Sequence, residues 1–163
     1  MNVAADEREA WENELLVERF ARAGALGGSI GGAAGGGGGG LLGGGRGGAR
    51  GGRWGATRLK TGVCELELTL PADPEQALAQ VETVLKDRGE LIETPYAAAG
   101  IPTVVAVTGS MWQNPAVVTA EIRPDDGHGS RVKIRAVAKI GLLFVRHTSE
   151  KTAQQIREAL TQK

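Results

Sequence analysis

Residues 64–70 read Cys64-Glu65-Leu66-Glu67-Leu68-Thr69-Leu70. Apolar and polar side chains alternate without a break, and a strand points successive side chains to opposite faces. The pattern predicts a half-buried strand, with Cys64, Leu66, Leu68 and Leu70 inward and Glu65 and Glu67 outward. A second such stretch, Arg131-Val-Lys-Ile-Arg-Ala-Val-Ala-Lys-Ile140, turns Val132, Ile134, Ala136 and Ala138 inward. Between the two, Asp73-Pro74-Glu75-Gln76 opens a helix. Asp73 can cap it, Pro74 sits where a missing N–H costs nothing, and Gln76 follows three residues after the cap. Leu78, Val81 and Leu85 mark the buried stripe of that helix, and Gly89 is its expected stop. Leu91-Ile92 begins the return and 95–102 is a loop. Thr103–Thr108 and Ala116–Arg123 read as strands on either side of Trp112-Gln113-Asn114-Pro115. Asp125-Asp126-Gly127-His128-Gly129 is a hairpin turn. Thr148 or Ser149 is the expected cap of a last helix, with Ala153, Ile156 and Leu160 as its stripe.

The order strand, helix, three strands, helix defines an α+β domain over 59–163: an antiparallel four-stranded sheet (β-α-β-β-β-α) with its helices on one face. A hairpin centred on Gly127 sets Glu121 opposite Lys133 and Arg123 opposite Arg131. Like charges directly across a ladder are unfavourable, so an offset register is expected.

Two regions precede this domain. Residues 1–23 form a short acidic helix: 6–22 contains no Gly or Pro, with Asp6, Glu7 and Glu9 early and Arg19 and Arg22 late, as the helix dipole favours. Trp11, Leu15, Leu16 and Phe20 give it an apolar side, interrupted by Arg19, and Gly24 is the expected stop. Residues 24–58 are glycine-rich. Over 24–55 the chain repeats in tetrads, GALG, GSIG, GAAG, GGGG, GLLG, GGRG, GARG and GRWG, each bounded by Gly at both ends.

The tetrad run resembles a glycine zipper, the small-residue repeat of some membrane-associated bacterial proteins. The later part of the chain resembles a family of small bacterial lipoprotein-like β-α-β-β-β-α domains of unknown function, over roughly 62–162. Arg131 to Gly141 followed by Thr148 to Leu160 carries that resemblance: a strand with Arg or Lys, a Gly-containing corner and a helix. Cys64 lies on a strand far from the start, so the lipid-modified cysteine of that family is not carried over. The family has no assigned catalytic residues to transfer.

Nineteen basic and nineteen acidic side chains cancel, so no global field steers the whole molecule. Locally the balance differs. Residues 1–22 carry six acids and three Arg, whereas 46–60 carry Arg46, Arg50, Arg53, Arg58 and Lys60 with no acid. One cysteine allows no intrachain disulfide and no cysteine metal cluster. The start has neither a basic nor an apolar leader region, so no signal peptide is expected. The expected location is the cytoplasm or the cytoplasmic face of a membrane.

The glycine run has three readings. As a flexible tether, 24–62 spans roughly 35 Å. Fourteen Gly in 23–45 handicap an isolated helix there by about 14 kcal/mol relative to Ala. As a self-associating or membrane-embedded helix, the uncharged 23–45 stretch is long enough to cross a bilayer, and Gly at i and i+4 lets backbones approach. As short RGG elements, Arg46-Gly-Gly and Arg50-Gly-Gly with Trp54 could touch RNA weakly and salt-dependently. No Gly-Lys-Ser/Thr follows the glycines and no strand feeds them, so they are not a phosphate loop.

Catalytic groups do not assemble. Cys64 is expected in the core, Glu65 and Glu67 in solvent, and His128 and His147 in a turn and at a helix start. The expectation is a non-enzymatic binding or assembly protein without cofactor or metal, with a protein partner or itself as ligand and a membrane as a possible support. A weak nucleic-acid-associated protein is the alternative. The candidate contacts are Arg46, Arg50, Arg53, Trp54, Arg58 and Lys60, and on the last strand Arg131, Lys133 and Arg135, unless cross-strand Glu residues pair with the latter.

Overall fold

The computed structural model describes residues 3–34, 40–96, 100–109, 114–127, 129–141 and 147–162, with the backbone path alone for 3–5, 27–34 and 40–44. The elements run α1 (Val3–Ala34), α2 (Gly40–Arg58), β1 (Lys60–Leu70), α3 (Pro74–Lys86), β2 (Gly89–Ile92), β3 (Thr103–Thr108), β4 (Ala116–Asp125), β5 (Gly129–Ile140) and α4 (Thr148–Thr161).

The sheet is antiparallel and has five strands, not four, in the order β1-β5-β4-β3-β2. The added strand is the short β2, which occupies the Leu91-Ile92 return. Gly89 opens β2 and does not stop α3, which ends at Lys86 with Asp87 as its C-cap. Because β1 and β2 lie at opposite edges, the β1-α3-β2 connection crosses beneath the whole sheet. The start of α3 follows its sequence signal: the Asp73 carboxylate accepts a 2.9 Å hydrogen bond from the Gln76 N–H.

Against one face pack α3 and α4. Ala77, Val81 and Leu85 from α3 and Ala153, Ile156 and Leu160 from α4 meet Val104 and Ala106 of β3, Val118, Ala120 and Ile122 of β4, and Val132, Ile134 and Ala136 of β5. Cys64, Leu66 and Leu68 of the edge strand β1 join them half-buried, as their alternation predicts.

The β4-β5 register is the unshifted one: Asp125 faces Gly129, Arg123 faces Arg131 and Glu121 faces Lys133. The expected offset does not occur because each arginine has an acid of its own. Arg131 reaches Asp125 at 2.8 Å and Arg123 reaches Glu121 at 3.4 Å. The cap of α4 is also one residue earlier than expected, at His147, with no side-chain cap bond.

The larger departure concerns helix placement. Helices cover both faces of the sheet. On the face opposite α3 and α4, Leu16 of α1 packs on Val105, Val107, Val117 and Val137, flanked by Trp11, Leu15 and Ile92. Nor does α1 stop at Gly24; it continues to Ala34, and α2 resumes at Gly40. The pair forms an antiparallel hairpin whose backbones touch. A Cβ on Gly24 would lie 2.3 Å from the Gly48 carbonyl oxygen, and one on Gly52 would lie 2.5 Å from that of Phe20. Glycine is needed at these two crossing points, and contact there offsets the intrinsic cost of about 1 kcal/mol per helical Gly. The 23–45 stretch is thus divided between two antiparallel helices and is not one continuous span.

Candidate functional site

Helix α2 sorts its residues by side. Gly48, Gly52 and Ala56 turn inward, and Ala56 is buried. Arg46, Arg50, Arg53, Trp54 and Arg58 are all exposed. Arg46, Arg50, Trp54 and Arg58 recur every four residues, so they stack along one side of the helix, and Arg53 lies beside them. From Arg46 to Arg58 this row is about 18 Å long at 1.5 Å per residue. Trp54 is 61% exposed. The Arg58 guanidinium sits 3.7 Å from its centroid, a cation–π contact over one ring face. Lys60, exposed at the start of β1, continues the positive charge. Among the described residues, Arg46, Arg50 and Arg53 form no ion pair.

The second group of candidates is arranged differently. Arg131 is paired with Asp125, Lys133 meets Glu65 at 3.0 Å, and Arg135 lies between Glu12 and Glu65. Each of the three is thus ion-paired with an acid on a neighbouring strand, and Arg135 also with Glu12 of α1. They are not joined to the α2 row.

A set of buried polar groups fastens α1 to the sheet; of its members, sequence patterning marks only Arg135, and as a surface contact. The Glu12 side chain is fully buried. Both its oxygens accept from the Arg135 guanidinium at 3.2 Å, and Arg8 adds a bond to Oε1 at 3.2 Å and another to Glu121 at 2.9 Å. Burial works against the Arg135 charge, but the hydrogen bonds and attraction of Glu12 and Glu65 outweigh it, so its pKa lies above the usual arginine value. Lys139, 2% exposed, donates to Asn13 Oδ1, to the Leu59 carbonyl and to Thr61 Oγ1. Among the described residues it has no carboxylate partner, and desolvation lowers its pKa. One signal was available: Glu12 precedes Leu16 by four residues and so shares its side of α1.

The remaining chemistry-bearing groups are quiet. Burial raises the Cys64 thiol pKa, and Glu150 and Glu65 raise it further, so the thiolate is disfavoured at neutral pH. The hydrogen bond from Lys133 lowers the Glu65 pKa, and Arg135 adds to the effect. His147 contacts Glu150 at 2.6 Å, while His128 and Trp112 lie outside the described residues. Among the described residues there is no cluster of three or more metal-ligating side chains, and no helix is long and apolar enough to cross a membrane. Between α1 and β2, Leu15, Arg19, Arg22, Glu90, Ile92 and Val107 line a cleft of about 70 Å³. That is well below the 300 Å³ or so at which small-molecule sites begin.

No protein family and no curated protein matches the sequence. Among solved structures, Ara h 8.0201 is similar over 62% of this chain and 95% of its own, with 17% identity and a TM-score of 0.36. TTHA0849 from Thermus thermophilus is similar over 62% of this chain and 92% of its own, with 15% identity and a TM-score of 0.32. The di-domain ARO/CYC StfQ from the steffimycin biosynthetic pathway is similar over 75% of this chain and 52% of its own, with 13% identity and a TM-score of 0.28. Likenesses at this level carry no functional argument.

Proposed function

We propose that this chain is a non-enzymatic binding protein in which the sheet domain holds a helical hairpin and the outer side of α2 meets an anionic partner. The observation that supports this most is the sorting of α2. Arg46, Arg50, Arg53 and Arg58 share one exposed side with Trp54, while Gly48 and Gly52 face α1. Four guanidinium groups within about 18 Å, with no acid between residues 46 and 60, form a local positive field although the net charge is zero. The sheet domain's role follows from its pairing: Arg123, Arg131, Lys133 and Arg135 are already matched by Glu121, Asp125, Glu65 and Glu12. It supplies rigidity, since α2 runs into β1 across a single residue, Leu59.

Retention of the full chain on immobilised heparin at low salt tests the reading. The expected result is retention that falls when Arg46, Arg50 and Arg53 are changed together to Ala and is unaffected when Arg131 is changed to Ala. Unchanged elution of the triple variant, with its helical signal intact, contradicts it.

A further inference from the structure

The α2 row points to a particular partner: we propose that the hairpin docks on an anionic lipid bilayer, with Arg46, Arg50, Arg53 and Arg58 at the headgroups and Trp54 at the interface. The inference rests on the reading above and narrows its partner class. Three observations carry it.

The first is the order of charge along the hairpin. Beyond Ala23 on α1 and up to Gly45 on α2 the chain has no charged residue, and on that portion Leu26 is 50% exposed. The arginines begin immediately afterwards, at Arg46, and the acids of α1 lie at the opposite end, from Asp6 to Glu18. Because the helices are antiparallel and cross at Gly24 and Gly48, the hairpin has an uncharged end followed by a cationic collar. A bilayer presents the same sequence of environments: an interior that excludes charge, then a layer of phosphates.

The second is the state of Trp54. A single strand of nucleic acid binds by stacking bases on open ring faces along a groove. Here one face of the indole is covered by Arg58, and the row lies on the outside of a helix, not in a groove. An interfacial tryptophan needs no open face; it needs an apolar ring at headgroup depth with its N–H in the wet layer.

The third is the length and polarity of the two helices. Among the described residues no helix is long and apolar enough to cross a membrane, so the docking proposed is peripheral.

The test is co-sedimentation of the full chain with vesicles of pure phosphatidylcholine, with vesicles containing about one-third phosphatidylglycerol, and in parallel binding to a single-stranded oligonucleotide. The expected result is binding to the anionic vesicles only, weakening as salt rises. The triple variant Arg46→Ala, Arg50→Ala, Arg53→Ala should lose about 100-fold in vesicle affinity, at about a factor of five per charge. The triple change to Lys retains most of the binding, and Trp54→Ala loses a few-fold. Brominated lipid should quench the wild-type fluorescence more than that of Trp54→Phe. Equal binding to both vesicles, or oligonucleotide binding without vesicle binding, overturns the lipid proposal. Heparin retention that depends on the arginines, with no vesicle binding, leaves the broader reading standing and removes only this one. Loss of both removes both.

Discussion

The sheet body and the hairpin are held together by opposite means. In the body, α3 and α4 stay on the sheet because branched aliphatic side chains fill the space between layers; Val81, Leu85, Ile122, Ile134 and Ile156 are fully or almost fully buried. In the hairpin, α1 and α2 meet because side chains are missing at Gly24, Gly48 and Gly52. The first kind of contact is strong per residue and tolerant of shape. The second is weak per residue and intolerant of a single methyl group. Between them lies the polar fastening of Glu12 and Arg135, which joins α1 to the sheet.

This comparison can be broken at each level. The largest effect belongs to the body. Ile134→Ala removes a fully buried side chain from the α3/α4 face and is expected to cost about 4 kcal/mol in urea unfolding. A cost under 1 kcal/mol would mean that this core is loose. Glu12→Ala comes next. It leaves Arg135 facing α1 with only Glu65, so the expected cost is about 3 kcal/mol, toward the lower end for a broken buried pair. The control is Glu18→Ala, which removes an exposed pair with Arg22 on the same helix and is expected to change stability by less than about 0.5 kcal/mol. Equal effects at Glu12 and Glu18 would show that α1 is not fastened to the sheet.

Lys139 sharpens the comparison through pH. Its folded pKa is lowered by burial from the usual 10.5. The folded state therefore holds fewer protons than the unfolded state between the two values, and stability rises with pH across that interval. The cost of enclosing the charge is fully present below the lowered pKa and is gone above 10.5. Relative to Lys139→Met, wild-type protein is expected to gain stability as pH increases toward that value, read as the difference in urea midpoint at neutral and alkaline pH. A constant difference would place the ammonium group in water.

The sheet body was largely legible in the sequence. Thr103–Thr108 was predicted at its observed bounds, and the inward set of the last strand and the Asp73 cap also hold, because alternation and capping are local patterns with a direction. Helix α1's second half and α2 were not legible. Glycine carries no side chain whose period could show a face, so Gly24 reads equally as a stop, a tether or a crossing point. Only the partner helix decides among these, and tertiary contact overrides propensity. The second sheet face was missed for a related reason. Glu12, Arg135 and Lys139 are charged residues used in an interior, and a charge on an amphipathic pattern is ordinarily read as solvent-facing. Of the candidate contacts, the arginines of 46–58 are legible as a basic block, but their common side on a helix is not, since a glycine-rich block is compatible with a tether, a helix or RGG-like elements alike.

Two adjacent residues in α2 give the most direct test of the hairpin. A Cβ at Gly51 meets nothing within 4 Å, whereas one at Gly52 meets the Phe20 carbonyl at 2.5 Å. In urea unfolding of the full chain, Gly51→Ala is expected to stabilise by up to about 1 kcal/mol, the ordinary helix gain. Gly52→Ala is expected to destabilise by about 1–3 kcal/mol, the cost of forcing a methyl into a filled contact. If both variants shift the midpoint in the same direction and by the same amount, α1 and α2 do not pack through their glycines and the account of the hairpin fails.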